Sequence, residues 1–225
     1  MASLRSAYWR VTSYYRLYGA RNTLKRFGDS LKRMLFYNRD VIYCMDLVDW
    51  PLQDSGSRDG YSLERFDRDV EIPEVFLKSV GEQRSAEMFR EYLRRRLDKG
   101  ASLWCLRKDG EYMGYFWVFI GGTMKPHYIP LSARDVHFFD GYMFPAYRGQ
   151  GEMAVLMDMV IERLKTLGLR RAYIEAAEWN ASSIKYIEKM GYSKIGCARQ
   201  RYRRGRNVVT WWTGSNTGGP GGSSL

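Results

Sequence analysis

The sequence predicts an α/β (α+β) protein in which a β-sheet is flanked by helices. Three observations predict this class. From residue 40 onward, strand-like apolar runs alternate with helical patterns, the pair Asp109-Gly110 separates two strand-like runs, and a glycine-rich turn at 149–151 joins a strand pattern to a helix pattern. A chain of 225 residues, 45% of them apolar, is long enough to bury a substantial core.

The predicted domain covers residues 40–213. Apolar, β-branched or aromatic runs predict seven strands: 40–47, 101–107, 111–120, 136–144, 171–177, and a final pair around 192–198 and 207–213. Helical periodicity, ended in three cases by Gly100, Gly168 or Gly191, predicts four helices: 73–80, 85–98, 152–167 and 181–190. Residues 214–225 are Gly- and Ser-rich, and we expect them to be disordered.

Residues 1–39 form a basic segment ahead of the domain. Residues 1–40 carry nine Lys and Arg and two Asp, which is +7 of the chain's net charge of +11. Apolar residues recur at helical spacing between Asn22 and Tyr37, which predicts a basic amphipathic helix. Two interpretations stay open: an interfacial anchor on an anionic membrane surface, or a helix packed on the domain with a solvated basic face.

Composition also bounds location and metal content. No apolar run approaches 18 residues and no signal-peptide core follows the first charges, so we expect a cytoplasmic protein, with peripheral attachment to the inner face of the membrane as an option. The three cysteines, Cys44, Cys105 and Cys197, lie in strand-like runs and are predicted to be buried small hydrophobes. With His127 and His137 as the chain's two histidines, we expect no metal site.

The most informative stretch is the strand, turn and helix over 138–164. Gly149 and Gly151 let the backbone turn tightly and approach a ligand, and the first N–H groups of the following helix point to a common place. Such a turn suits a diphosphate. The spacing matches neither the phosphate loop of nucleotide hydrolases nor the dinucleotide fingerprint.

These residues resemble the GNAT superfamily of N-acetyltransferases. At this junction the family has Gln/Arg-x-x-Gly-x-Gly/Ala after a proline, and this chain has Pro145, Arg148 and Gly151, with Met153 replacing the small last residue. A small shift of the helix start would bring Ala154 to that place. A second family element follows at the usual distance, in the residues Asn180, Ser183, Lys189, Gly191 and Tyr192.

The resemblance implies a mixed, splayed sheet that binds acyl-CoA, most directly acetyl-CoA, between the strands at 136–144 and 171–177. It implies that the pantetheine arm lies like an added strand and that a backbone N–H near Tyr142 or Met143 polarises the thioester carbonyl. The cofactor-binding residues it implies are Tyr142, Met143, Arg148, Gly149, Gln150, Gly151, Glu152, Met153, Asn180 and Ser183.

The catalytic candidates are Asp140, Glu175 and Tyr186. Asp140 is the first choice for a general base because family members often have an acidic residue there, but Asp-Gly is also a common turn pair. Glu175 is the second choice, and His137 is a third by its intrinsic pKa. The tyrosine acid of the family corresponds to Ile187, so the thiolate proton comes from water, from a shifted Tyr186, or from no specific acid.

We therefore expect an N-acyltransferase that moves an acyl group, in the first place acetyl, from acyl-CoA to a primary amine, on an acceptor presented at a membrane or belonging to the cell envelope. One alternative is a non-catalytic acyl-CoA-binding or regulatory module. Another is a transferase of the same fold that uses aminoacyl-tRNA, with an arginine cluster in the last turn as the contact. We expect no nucleic-acid binding beyond that alternative, because no recognition motif accompanies the charge. The arginines are Arg199, Arg201, Arg203, Arg204 and Arg206.

Overall fold

The computed structural model describes residues 15, 19–25, 27–28, 39–50, 58–81, 86–123, 128–203 and 206–212. The strands in this part of the chain are β1 (Asp40–Asp46), β2 (Tyr61–Phe66), β3 (Ser102–Lys108), β4 (Glu111–Ile120), β5 (Asp135–Met143), β6 (Arg171–Ala177), β7 (Ser193–Arg203) and β8 (Arg206–Trp212). The α-helices are α1 (Glu74–Gly81), α2 (Ala86–Leu97), α3 (Glu152–Thr166) and α4 (Ala181–Lys189).

All eight strands form one mixed sheet in the order β2-β3-β4-β5-β6-β1-β7-β8. β5 and β6 pair in parallel, and the other neighbouring pairs are antiparallel. The mixed α/β class is therefore confirmed. β1 lies inside the sheet, so that Val41 pairs with Ala176 of β6 on one side and with Cys197 of β7 on the other.

β2 was not predicted. It is an edge strand that pairs with β3 alone, and of its six residues only Phe66 is buried. Polar residues such as Ser62, Glu64 and Arg65 are favoured at such an edge because one side of the strand stays in water. Apolar and polar residues alternate only over Tyr61–Glu64, which is the shortest run that such a pattern needs to indicate a strand.

The sheet is splayed between β5 and β6, as predicted. The two strands pair from Asp135–Arg171 to Phe138–Ile174, and no pairing follows beyond that point although both strands continue. Glu175 pairs instead with Ile42 of β1, while Phe139 pairs with Trp117 of β4. The facing edges of residues 139–143 and 175–177 therefore diverge and leave an opening in the sheet.

A β-bulge lies on the β5 side of this opening. Trp117 pairs with Phe139 and Tyr115 pairs with Tyr142, so two residues of β5, Asp140 and Gly141, stand opposite one residue of β4. Asp140 has a φ of 47°, in the left-handed region. The bulge re-aims the last residues of β5 relative to the rest of the strand.

Each face of the sheet carries its own apolar core. α3 and α4 cover one face, where buried residues include Phe138, Leu156, Ile161 and Ile174. α1 and α2 cover the other face, over β3 and β4. The second core is strongly aromatic and includes Phe76, Phe89, Tyr115, Trp117 and Phe144.

Part of the basic N-terminal segment is described. Residues 19–25 and 27–28 are helical, and the side chains of Leu24 and Phe27 are 72% and 62% exposed. The rest of the helix predicted between Asn22 and Tyr37, and the tail predicted over 214–225, lie outside the described residues. No described helix is long and apolar enough to cross a membrane.

Candidate active site

The turn after β5 presents an open helix N-terminus. Gly149 and Gly151 have φ values of 76° and 86°, and a Cβ atom added at either would meet nothing within 4 Å. Gly151 is the N-cap of α3, and the amide of Ala154 donates to its carbonyl at 2.8 Å. The helix therefore starts at Glu152, and the shift that would bring Ala154 into the turn does not occur.

This turn fits a diphosphate group. The first N–H groups of a helix have no intrahelical partner and carry the positive end of the helix dipole. In this chain the two glycines leave the space in front of those groups without side chains. Such a cradle binds an anion through main-chain donors.

Two polar side chains of the turn donate hydrogen bonds to the backbone that precedes it. The Nε of Arg148 donates to the carbonyl of Met143 at 3.0 Å, and its guanidinium carbon lies 5.0 Å from the centroid of the Tyr142 ring. The Nε2 of Gln150 donates to the carbonyl of Ala146 at 2.9 Å. These contacts fix the turn to the end of β5.

Glu152 is turned toward β2. Its side chain is buried, and both carboxylate oxygens accept from the hydroxyl of Tyr61, at 2.9 and 3.0 Å. The Nζ of Lys108 donates to the same hydroxyl at 3.1 Å. A carboxylate in the first turn is also stabilised by the helix dipole.

The first turn of α4 is capped by Asn180. Its Oδ1 accepts from the Ser183 amide at 3.4 Å and from the Ser182 hydroxyl at 3.0 Å. Further along α4, the hydroxyl of Tyr186 donates to the carbonyl of Met153 at 3.2 Å, and burial raises the pKa of Tyr186 well above its ordinary value. Ile187, at the position of the family's tyrosine, is buried in the core.

His137 and Glu175 meet where β5 and β6 part. The Nε2 of His137 lies 2.8 Å from the Oε2 of Glu175. The imidazole is buried and stacks on the ring of Phe139, with 5.2 Å between ring centroids, whereas the Glu175 side chain is 25% exposed. Ile174 is the last residue of β6 that pairs with β5, and Glu175 follows it directly, so Glu175 lies at the edge of the opening.

Asp140 is held by α2 instead. Its Oδ2 accepts from Arg96 and, at 3.0 Å, from the hydroxyl of Tyr92. The side chain remains 57% exposed. The structure thus separates the two acidic candidates: one carboxylate pairs with a histidine at the opening, and the other pairs with an arginine at the bulge.

Two expectations from the sequence concern metal ligands and the cysteines. Within the described ranges, no group of three or more His, Cys, Asp or Glu side chains is placed to hold a metal ion. Cys105 is buried as predicted, but Cys44 and Cys197 are half-buried.

A sequence model of the acetyltransferase (GNAT) family matches residues 69–192, which include the parting strands, the glycine turn and the whole of α4. The chain belongs to this GNAT family. The matched segment carries both motifs on which the resemblance rested. His137, Glu175 and Asp140 were already candidates from the sequence. The structure adds their pairing, His137 with Glu175 and Arg96 with Asp140.

Curated relatives in the GNAT family are distant. An uncharacterized N-acetyltransferase of Mycobacterium tuberculosis is 27% identical over 124 residues, which cover 55% of this chain and 71% of that protein. An uncharacterized N-acetyltransferase of Escherichia coli is 28% identical over 100 residues, which cover 44% of this chain and 55% of that protein.

Solved GNAT structures share the fold. The glucosamine N-acetyltransferase region of a fungal multi-domain β-N-acetylglucosaminidase superposes with a TM-score of 0.50 at 14% identity, covering 75% of this chain and 22% of that one. A GNAT acetyltransferase from Colwellia psychrerythraea also gives 0.50, at 10% identity, covering 69% of this chain and 52% of that one. At these identities the likeness concerns the fold alone.

Proposed function

We propose that this protein is an N-acyltransferase that moves an acetyl group from acetyl-CoA to a primary amine by direct attack. The observation that carries the proposal is the His137–Glu175 pair at the point where β5 and β6 part, with the glycine cradle at the end of β5. A candidate base at Glu175, the opening between β5 and β6, and the anion site at the glycine turn are thus all formed by β5, β6 and the turn that follows β5.

Binding would use main-chain groups. Residues 139–143 and 175–177 do not pair with each other, and their facing edges offer N–H and C=O groups to the pantetheine arm, which adds like a strand. The amides of Gly149 to Met153 receive the diphosphate. The N-terminus of α4, with Asn180 and Ser183, follows β6 on the other side of the opening. A backbone N–H of Tyr142 or Met143 stabilises the developing oxyanion.

The chemistry requires one proton to leave the amine and one to reach the sulfur. Glu175 accepts the amine proton because its carboxylate is partly exposed, and His137 holds that carboxylate from the buried side. The amine nitrogen bonds to the carbonyl carbon, and the C–S bond then breaks. Water protonates the thiolate, since the Tyr186 hydroxyl is already donating to Met153 and its raised pKa makes it a weak acid.

Thiol release from acetyl-CoA in the presence of a panel of amines tests the proposal. Glu175→Gln is expected to lower kcat/KM by about 10²- to 10⁴-fold, the usual contribution of a general base. Glu178→Gln is the matched control, because that carboxylate is 28% exposed, lies just beyond the same strand and is paired with Arg39. Equal activity of both variants would refute the role of Glu175.

Binding without turnover would favour the alternative of a non-catalytic acyl-CoA-binding module. In that outcome calorimetry finds acetyl-CoA bound to the wild type, yet no amine releases thiol. The aminoacyl-tRNA alternative requires thiol-independent transfer that is lost when Arg199 and Arg201 are replaced by Ala. β7 and β8 do pair as a hairpin, but β7 runs to Arg203 and β8 begins at Arg206, so Arg199, Arg201, Arg203 and Arg206 lie on the strands and not in the turn as predicted. The side chains of residues 201–207 lie outside the described residues.

We further propose that the N-terminal segment binds an anionic membrane and that the acceptor is presented there, for example as a cell-envelope intermediate, with the enzyme peripheral on the cytoplasmic face. In support, Leu24 and Phe27 lie three residues apart on a helix, expose most of their apolar surface, and are accompanied by the exposed Arg21 and Lys25. Apolar and basic groups together favour an anionic interface.

Co-sedimentation of the full chain with liposomes tests this proposal. The wild type is expected to bind phosphatidylglycerol vesicles, to release them in high salt, and to ignore phosphatidylcholine. Leu24→Ser/Phe27→Ser should abolish binding. Val70→Ser/Val75→Ser, which removes two valines that are 83% and 63% exposed elsewhere, should leave it intact. Equal binding by both double variants would refute the role of the helix.

A further inference from the structure

Arg96 is buried in an aromatic cage at the end of α2. Its side chain is 9% exposed, and its guanidinium carbon lies 3.7 Å from the ring centroid of Tyr92, 4.9 Å from that of Phe139 and 5.0 Å from that of Trp117. Aromatic faces attract a cation but do not neutralise it. A buried guanidinium therefore requires a counter-ion.

Asp140 is that counter-ion. The Nη2 of Arg96 donates to the Oδ2 of Asp140, and in the described part of the chain neither Nε nor Nη1 of Arg96 has a hydrogen-bond partner. Tyr92 donates to the same oxygen at 3.0 Å, and burial keeps its hydroxyl protonated by raising its pKa. Asp140 is thus fixed from the side of α2 by two donors that converge on one atom.

Asp140 is also the residue of the β-bulge that has a strained backbone conformation. Asp140 has a φ of 47°, which costs conformational energy in a residue with a side chain. The next residue, Gly141, is packed so closely that an added Cβ would lie 2.4 Å from the Phe116 ring. Met143 follows two residues later. Phe144 donates its N–H to the Met113 carbonyl of β4, so the Met143 N–H points to the other edge of β5, and we assign this N–H to the oxyanion.

We propose that Arg96, acting through Asp140, is a positioning residue that sets the direction of the Met143 amide. The inference rests on the proposed acyl transfer, and it assigns Asp140 to the geometry of the bulge instead of to proton abstraction. Without the contact between Arg96 and Asp140, Asp140 relaxes from its left-handed conformation and the Met143 amide turns away from the thioester carbonyl.

Steady-state kinetics on Arg96→Met test the proposal. Methionine is expected to fill the cage without a charge, and the released Asp140 is exposed enough to be solvated. We expect kcat to fall about 10- to 100-fold, the usual effect of a misplacement near 1 Å, with KM for acetyl-CoA little changed. Arg94→Met is the matched control, because it removes an exposed arginine of the same helix whose partner is Asp69.

A double variant separates positioning from catalysis. Adding Asp140→Asn to Arg96→Met leaves no buried charge unpaired, so this variant keeps its fold. If Asp140 acts through Arg96, the double variant has the kcat of the single variant and retains the acid limb of the pH profile. A further 100-fold loss with disappearance of that limb would overturn the proposal and make Asp140 the base.

Hydrogen exchange gives a readout that does not depend on turnover. The amide of Met143 is expected to exchange at least about tenfold faster in Arg96→Met than in Arg94→Met, because the contact between Arg96 and Asp140 no longer restrains local opening of the bulge. Equal exchange would overturn the proposal even if the wild type proved to have no activity. Faster exchange in an inactive protein would support the positioning role and count against the proposed function instead.

Discussion

Gly151 and Gly168 offer a matched perturbation of the cofactor cradle. They stand at opposite ends of α3, with φ values of 86° and 75°, and a Cβ at either would meet nothing within 4 Å. Replacing either by leucine should cost about 1–2 kcal/mol of folding free energy from left-handed strain. The two variants therefore lose a similar folding free energy, but only residue 151 lies at the proposed diphosphate site.

The effect on binding follows from the hydrogen bonds at stake. A leucine at position 151 projects into the space where a diphosphate would meet the first amides of α3. Losing two hydrogen bonds to a charged group, each worth about 1.5–3 kcal/mol, costs about 3–6 kcal/mol. The Kd for acetyl-CoA should therefore rise at least about 100-fold in Gly151→Leu, and stay near the wild-type value in Gly168→Leu.

Isothermal titration calorimetry with acetyl-CoA measures the affinities, and thermal unfolding verifies that the two variants lose similar stability. If Gly151→Leu bound acetyl-CoA within threefold of Gly168→Leu, the diphosphate would not lie at this helix terminus. That result would refute both the cradle and the direction in which we place the pantetheine arm.

Three further predictions concern stability and the strand edge. Trp50→Phe should lower the free energy of unfolding, measured in urea, by about 1–3 kcal/mol. The Trp50 indole N–H donates to the buried Asp158 carboxylate at 2.8 Å, and phenylalanine cannot replace this hydrogen bond. A loss below about 0.5 kcal/mol would contradict this. Gly114→Ala should weaken acetyl-CoA binding, because its Cβ would lie 2.6 Å from the Tyr142 carbonyl and displace the end of β5, and unchanged calorimetry would contradict it. Burial, then the neighbouring Cys44, raises the pKa of Tyr173 to about 12. Since the folded value exceeds the unfolded value of about 10, the contribution of Tyr173 to stability is full below pH 10 and is lost between pH 10 and 12, so Tyr173→Phe should make the fall of stability over this range shallower, and an unchanged slope would contradict this.

The sequence predicted those elements that are specified by a few neighbouring residues. The Asp109-Gly110 turn predicted the β3–β4 hairpin because both residues adopt positive φ, at 50° and 88°, as a tight hairpin turn requires. The strand-turn-helix around Gly151 was visible for the same reason. β2 was missed because its alternation of apolar and polar residues covers only four positions, 61–64.

The pairs at the site depend on long-range contacts instead. His137 and Glu175 are 38 positions apart, and Arg96 and Asp140 are 44 apart, so no spacing rule connects them. Asp140 and Glu175 were both selected as acidic residues on strands flanking the opening. Their different partners depend on the register of β5 against β6 and on the packing of α2, which residue types alone do not encode.

The internal position of β1 has a consequence for how the chain must fold. Arg39, at the entrance to β1, pairs with Glu178, which lies 139 positions later. β1 pairs with β6 on one side and with β7 on the other, so the sheet joins an early strand to two late ones. Contacts of such separation slow folding, and a growing chain would hold β1 unpaired throughout the synthesis of the domain. A shortened chain that begins after Asp46 would therefore lose a central strand, and an exposed β6 edge would invite aggregation.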